Sequence, residues 1–547
     1  MCGICIAWFV DPDRFQNALK NLTNRGPDAT QTKIFGPCSI GFTRLHIQGS
    51  NAGSEQPFTL TDGRVVVCNG EIFNSELLIE TLDLKVPAGS SDCAVIPALL
   101  ERGMSLAEVA RQLDGDFAIV VVDTAKNQIQ ACRDPYGVRP LYYCNTPYGF
   151  GPGKHYFTGS FASEIKGLVY SDGPITALEP GTVLTLNYIT DSSSATSQEV
   201  WHQTPWLKNP LLGIDHTAGS AMLRYALEEA VFKRLTTVRE LGACLSGGLD
   251  SSLVAAIAAH FMKKDGKRLH TYSIGMEGSP DLIHARLVAA HINSIHHERI
   301  VTAEDCLAAI PEVVRAIESF DITTVRASVG NYLLGRLIAT ETPAVKVVLN
   351  GDGADEILGG YLYMRAAPDD AAFEAETTRL LAEIHRYDVA RSERSMAAHG
   401  LESRSPFLDR QFVSVARSLP TPLLRPSEEC IEKLFLRHAF ANTGLLPKEV
   451  LMRRKEAFSD GISKAEKSWF ATAKERGEAM SGSEGWVARA AGYAVNPPPT
   501  PESLWYRTLF HESYPPAAAA AVAPAMWMPR FVKGATDPSA RTLELYK

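Results

Sequence analysis

Three things are scarce in this chain of 547 residues: long apolar runs, an excess of positive charge, and paired cysteine motifs. A helix needs roughly 20 apolar residues to cross a bilayer core. The best runs, Gly3 to Val10 and the alanine-rich Ala517 to Ala523, fall well short, and prolines flank the second. No basic n-region precedes the first, which points away from a secretory signal. Lysine and arginine total 54 against 62 acidic residues, for a formal net charge of −8. That balance, without basic blocks, gives no footprint for nucleic acid. Ten cysteines in so long a chain do not make a disulfide framework. The only CxxC, Cys2 to Cys5, has no second CxxC or HxxxH to complete a zinc site. Reduced thiols, and with them a cytoplasmic location, are expected.

What is present is organised around Leu245-Ser246-Gly247-Gly248-Leu249-Asp250-Ser251-Ser252, between a strand-like Leu241 to Leu245 and a helix-like Leu253 to Met262. Adjacent glycines allow a tight turn, so main-chain N–H groups and three serine hydroxyls can converge on an anion at a helix N-terminus. A carboxylate such as Asp250 belongs beside polyphosphate when a divalent cation lies between them. The stretch resembles the pyrophosphate loop of the ATP pyrophosphatase superfamily, which implies cleavage of ATP to AMP and pyrophosphate.

Before that loop, to about Ile189, short β-rich runs alternate with turn residues: Cys38 to Ile47, Arg64 to Cys68, Phe117 to Asp123, Gln128 to Cys132, Leu141 to Cys144 and Thr182 to Ile189. Helices are expected over Arg14 to Asn21 and over Cys93 to Arg102, the second continuing into Ser105 to Leu113. Mixed α+β layering with antiparallel sheets follows. Cys2 follows a methionine that aminopeptidase trimming would remove, and a terminal cysteine carries nucleophile and base on one residue. The segments Met1 to Ile4, Arg25 to Asp28, Arg44 to Ile47, Asn69 to Asn74, Ser91 to Cys93, Asp114 to Ala118 and Arg133 to Tyr142 together resemble a class II glutamine amidotransferase domain, an N-terminal-nucleophile hydrolase. The resemblance implies a glutamine pocket of Arg44, Leu45, His46, Ile47, Gln48, Asn69, Gly70, Glu71 and Asp92. Arg44 would take the α-carboxylate and Asp92 the α-ammonium. The Asn69 side chain and the Gly70 N–H would form the oxyanion hole. Asn69-Gly70 is also a strong hairpin-turn signal, against which Glu71 and the preceding strand weigh.

From about Asp191 to Gly213 periodicity is lost and a domain connection is expected. This divides the chain into an amidotransferase domain over 1–190, a connection over 191–213 and a synthetase domain over 214–547. Beyond it, a helix over His216 to Leu235 precedes alternating strands and helices: strands at Arg268 to Met276, Ile295 to Val301 and Val347 to Leu349, a helix capped by Ser279 with Pro280 first, and one opened by Thr302-x-x-Asp305. This order implies an α/β parallel sheet with a helical C-terminal part, its ligands at the strands' carboxyl ends. The turn Asn350-Gly351-Asp352-Gly353-Ala354-Asp355-Glu356 should therefore face the same cleft as Ser246.

With Gly278 to Leu282, Phe320 to Ser328, Gly359 to Tyr361, Glu402 to Asp409, Arg454 to Gly461 and Thr536 to Arg541, nearly the whole chain resembles the glutamine-hydrolysing asparagine synthetase family. The resemblance implies that glutamine hydrolysis at Cys2 supplies ammonia to β-aspartyl-AMP, giving asparagine, AMP, pyrophosphate and glutamate. Glutamine, aspartate and ATP are the partners implied, with no membrane or nucleic acid, and a homodimer stays open. It also implies that Cys244, Ser246, Gly247, Gly248, Asp250, Ser251, Ile274, Asn350 and Gly351 bind ATP. Asp250 and Asp355 would hold Mg²⁺, Thr323, Arg326 and Lys455 would serve aspartate and pyrophosphate, and Asp352 and Lys455 would act in adenylation. The family usually reads Ser-Gly-Glu-Gly-Ser-Asp-Glu at 350–356, so Asn350, Asp352 and Ala354 depart from it, and the shorter acid at 352 bears on the adenylation rate. A ligase for another carboxylate, or a catalytically impaired sensor of glutamine or nucleotide, would share many of these motifs. Cys2 kept with Arg44, Asn69 and Asp92 argues against the first, and Asp352 and Ala354 are the only support for the second.

Overall fold

Val65 to Cys68 is apolar at every position because its alternate side chains enter two different cores. The computed structural model describes the chain except residues 50–53, 152–153, 170, 172, 191–195, 204–210, 212, 428–429, 456–467, 483, 523–524, 535–536 and 540–547. All of the Arg454 to Gly461 motif after Lys455, and Thr536, Ala540 and Arg541, lie outside the described residues. The chain falls into two units: Met1–Gln203 with Ala397–Leu401 and His511–Val522, and Thr204–Met396 with Glu402–Phe510 and Ala523–Lys547.

The first unit has two antiparallel sheets. One runs Thr176–Ala177, Tyr142–Gly151, Lys154–Ala162, Gly3–Trp8, Cys38–Arg44, Ala29–Phe35, with Ile189–Thr190 beside Lys154–Ala162. The other runs Thr196–Val200, Thr182–Asn187, Gln128–Arg133, Gly115–Asp123, Val65–Ile72, Phe58–Thr59. Val65 and Val67 meet Ile4, Ile6 and Trp8 between the sheets, whereas Val66 and Cys68 pack with Leu78, Val95, Ile96 and Leu99 of the helices outside the second sheet. The helix Pro12–Lys20 covers the first sheet, its Phe15 and Leu19 set against Gly41. Helix, sheet, sheet and helix thus form four layers, the expected α+β arrangement.

Several local expectations change. The helix expected over Cys93 to Arg102 and continuing into Ser105 to Leu113 is two separate helices, Val95–Glu101 and Leu106–Gln112. Gly103 turns left-handed at φ +85°, and Ser105 and Glu108 close a capping box that starts the second. The Gly3 to Val10 run contains a strand, Gly3–Trp8, buried along its whole length. Ala29–Phe35, Lys154–Ala162 and Thr196–Val200 are strands without a strong sequence signal. The last lies in the stretch read as a connection and pairs with Thr182–Asn187. Asn69 and Gly70 form no turn: both lie inside Val65–Ile72, opposite Ala118 and Phe117.

The second unit holds a wholly parallel sheet in the order Ile295–Ile300, His270–Gly275, Glu240–Cys244, Val345–Leu349, Glu402–Arg404. The helices Leu249–Lys264, Pro280–His291, Ala303–Ile317 and Ile322–Glu341 connect or flank these strands. Thr302 and Asp305 form the expected capping box, while Ser279 takes the N-cap position without a side-chain capping bond. Successive strands step to one side of Glu240–Cys244, and Val345–Leu349 then lands on its other side. This is a topological switch point, where open α/β sheets hold ligands.

Candidate active sites

In the first unit, register places Cys2 at the mouth of the sandwich, one residue before Gly3, which pairs with Thr43. The backbone N of Cys2 donates to Asn69 Oδ1 at 3.0 Å, and its Sγ lies 4.0 Å from the Leu45 carbonyl. Asn69 is fully buried, and its Nδ2 has no hydrogen-bond partner among the described residues. An enclosed amide donor beside a thiol is what an oxyanion requires. Gly70 is confined to glycine, since a Cβ would stand 2.6 Å from the Asp116 carbonyl. Gln48 Nε2 donates to Glu71 Oε1 at 2.9 Å, Arg44 Nη2 to the Gln48 carbonyl at 3.4 Å, and Asp92 Oδ2 accepts from the Ile72 N–H at 2.6 Å. The His46 N–H donates to Asp28 at 2.7 Å, its ring bonds the Gly49 carbonyl, and Leu45 and Ile47 are buried.

A residue in the quoted motifs, but given no role from sequence, anchors this corner. Arg25, fully enclosed, donates from Nε to the Cys2 carbonyl at 2.9 Å and from Nη1 to Glu164 at 2.6 Å. Burial alone would raise the Glu164 carboxyl, but Lys166 and Arg25 outweigh it and hold it down at about 2. Glu164 is some 160 residues from Cys2 in sequence, so no local pattern announces the pairing.

In the second unit, the turns after Cys244 and Leu349 face one cleft of about 250 Å³. They touch: a Cβ on Gly351 would come within 2.7 Å of the Ser251 amide nitrogen. Ser246 Oγ lies 2.9 Å from Ser251 Oγ and accepts from the Gly248 N–H at 3.3 Å, and both serines line the cleft. Ser252, expected as a third hydroxyl, is instead buried and absent from the lining, because the next helical position is turned about 100° away. Gly247 sits at φ +74°, where a Cβ would meet the Ala285 nitrogen at 2.5 Å. Cys244, Ile274 and Asn350 line the cleft, and burial pushes the Cys244 thiol up to about 12, so it remains a neutral wall.

The acids are tied to cations. Lys433 Nζ lies 2.6 Å from both Asp250 oxygens and 2.7 Å from Asp355 Oδ1, and Lys455 Nζ bonds Asp355 Oδ2. Burial would raise the Asp355 carboxyl, but the two ammonium groups hold it below the ordinary range. Lys433 has φ +54°, a left-handed conformation uncommon outside glycine and asparagine, and Glu432 accepts from the Lys455 N–H at 2.7 Å. Neither Glu432 nor Lys433 was singled out from sequence, and only this long-range packing marks them. Arg453, also missed, links the Gly247 carbonyl to Asp281. Asp352 accepts from Arg391 Nη2 at 2.8 Å; burial raises its carboxyl, Arg391 opposes this and Asp388 adds to it. Arg326 is turned onto Glu502 and Asp537.

Asp250 and Asp355 fit a divalent cation by donor chemistry, because Mg²⁺ usually takes one or two carboxylates and completes its shell with phosphate and water oxygens. The Lys433 ammonium, gripped by three of their oxygens, marks the spot as one that holds positive charge. No group of three or more His, Cys, Asp or Glu side chains disposed to hold a metal occurs among the described residues.

A thiol one residue ahead of a buried strand in a four-layer sandwich, and a serine-lined turn at a parallel-sheet switch point, are features of an amidotransferase and of an ATP-cleaving ligase. A glutamine amidotransferase domain model matches residues 1–221, and an asparagine synthase model matches 222–371 and 365–523. Glutamine-hydrolysing asparagine synthetases of Gallus gallus, Bos taurus and Homo sapiens are 40%, 38% and 38% identical, each alignment taking in 100% of this chain and 99% of the relative. The chain belongs to the glutamine-hydrolysing asparagine synthetase family.

Proposed function

We propose that this chain makes asparagine from aspartate, ATP and glutamine, with an amidotransferase domain over 1–190, a connection over 191–213 and a synthetase domain over 214–547. Its similarity to those synthetases over its whole length carries the reading, because both sites fall within the matched span.

Once Met1 is removed, the Cys2 α-amine accepts the thiol proton and the thiolate attacks the glutamine carboxamide carbon. The oxyanion takes hydrogen bonds from Asn69 Nδ2 and the Gly70 N–H, ammonia leaves, and water hydrolyses the thioester to glutamate. Arg44 and Asp92, with Leu45, His46, Ile47, Gln48 and Glu71, hold the glutamine. In the second unit an aspartate β-carboxylate oxygen attacks the ATP α-phosphorus and the bond to pyrophosphate breaks. Ser246, Ser251 and the N-terminal amides of Leu249–Lys264 receive the phosphates, Lys455 neutralises developing charge, and Cys244, Ile274, Asn350 and Gly351 wall the nucleotide. Ammonia then attacks the acyl carbon and AMP departs. Asp250 and Asp355 would hold Mg²⁺, whose positive charge would offset that of the phosphates. Ten free thiols fit a reducing, cytoplasmic setting.

Incubation with amide-¹⁵N glutamine, aspartate, ATP and Mg²⁺ should yield labelled asparagine with equimolar AMP and pyrophosphate. ADP as product, or turnover independent of aspartate, would sink the reading.

A further inference from the structure

Arg326 carries more negative charge than it can neutralise. Its Nε and Nη2 donate to the two Glu502 oxygens at 2.8 and 2.5 Å, and its Nη1 and Nη2 donate to the two Asp537 oxygens at 2.9 and 3.0 Å. A guanidinium has five N–H bonds. Four are taken, and the fifth cannot grip a further carboxylate in the two-bond mode that makes such pairs strong.

The two partners are held differently. Glu502 is 3% exposed and also accepts the Tyr506 hydroxyl at 2.7 Å. Asp537, which also accepts the Ser539 N–H at 2.8 Å, is 15% exposed, and its neighbours Pro538 and Ser539 line the cleft. One helical turn before Arg326, on the same face, Thr323 also lines the cleft, and its enclosed hydroxyl has no partner among the described residues. An enclosed hydroxyl without a partner among the described residues, one helical turn from a guanidinium edge held by a partly exposed carboxylate, describes a place suited to a polar ligand.

We propose that Asp537 is a tethered competitor of the amino-acid substrate. Its side chain makes on Arg326 the fork that a free aspartate carboxylate would make, and it leaves when that substrate binds beside Thr323. This rests on the reading of aspartate as substrate. With the segment docked, only the undocked fraction binds, so the apparent KM for aspartate is the intrinsic value divided by that fraction. Glu502 stays in place, so Arg326 never lies bare.

The test uses the full-length protein with ammonia as nitrogen donor, following pyrophosphate release against aspartate concentration for wild type, Asp537→Asn and Asp537→Glu. The Asn variant should lower the aspartate KM about threefold or more, as expected for removal of an intramolecular competitor at millimolar effective concentration. The ATP KM should not follow, and the change should lie in KM rather than kcat. The Glu variant keeps the carboxylate and should stay within about twofold of wild type. An unchanged or raised aspartate KM in Asp537→Asn, or an equal fall in both variants, overturns the proposal while leaving the reaction intact. A loss of kcat with KM held would make Asp537 a structural clamp and also overturns it. Absence of aspartate-dependent pyrophosphate release by wild type would instead strike the proposed reaction, and the competitor with it.

Discussion

Asn69→Ala should separate two quantities that commonly fall together, stability and turnover. Wild type spends one hydrogen bond, Cys2 N to Asn69 Oδ1 at 3.0 Å, and leaves Asn69 Nδ2 enclosed with no partner among the described residues. Losing the bond costs about 1 kcal/mol, while removing an unsatisfied buried donor returns about 1–3 kcal/mol. The emptied volume takes back part of that gain. The sum is near zero, so the amidotransferase unit should melt within about 2–4 °C of wild type. Turnover behaves otherwise, because one oxyanion donor is typically worth about 10²–10³ in kcat. Glutamate release from glutamine, followed beside differential scanning calorimetry, reads both. Ammonia-dependent synthesis by the same protein checks that the second site is intact. A fall in glutaminase kcat of less than about tenfold would refute the assignment of Nδ2 as a transition-state donor. So would a melting loss large enough to explain the kinetics.

Three further outcomes follow from other contacts. Cys2→Ala should abolish glutamine-dependent synthesis and spare synthesis from added ammonia; loss of both in a folded protein would refute separate sites. Gly247→Ala places a Cβ 2.5 Å from the Ala285 nitrogen at a φ of +74°. The left-handed conformation alone costs about 1–2 kcal/mol, so ATP-dependent pyrophosphate release should fall at least about tenfold while glutaminase activity persists. Glu164→Gln tests the buried pair with Arg25. Lys166 and Arg25 hold the folded carboxyl down at about 2 against an ordinary 4.5, which makes the ionised form stabilising. Because the folded value is depressed, that stabilisation is complete above about pH 4.5 and is lost as pH falls toward about 2. Chemical denaturation should show the wild-type advantage at pH 7 and its shrinkage below pH 4.5; an advantage independent of pH would contradict the ion pair.

Sequence legibility followed the range of the interactions. The cradle, the Asn350 to Glu356 turn, the capping box at Thr302 and the parallel order of the second unit are written in residues close together, and each was readable. Gly3–Trp8 was legible only as an apolar run, because a strand buried on both faces loses its alternation. Ala29–Phe35 is largely exposed, so it has little apolar pattern to read. The break at Gly103 needed the capping box to be given more weight than apolar continuity. In the sites, residue types chosen for chemistry were readable from motifs, but Arg25 with Glu164, and Lys433 with Asp250 and Asp355, are joined across 139, 183 and 78 positions. Charge pairing at such separations leaves no local trace. Arg326 was legible as a cation, but the carboxylates at Glu502 and Asp537 that occupy it were not.

The close approach of Gly351 to Ser251 bears on how such a site can change over generations. The two turns are a hundred residues apart in the gene, yet a single methyl group at 351 would press on the amide at 251. Variation in either turn is therefore conditional on the other, and a change tolerated in one background will be rejected in another. Chimaeras that take the first turn from one relative and the second from another should fail more often than exchanges that move both together. The unit of inheritance here is the pair of turns.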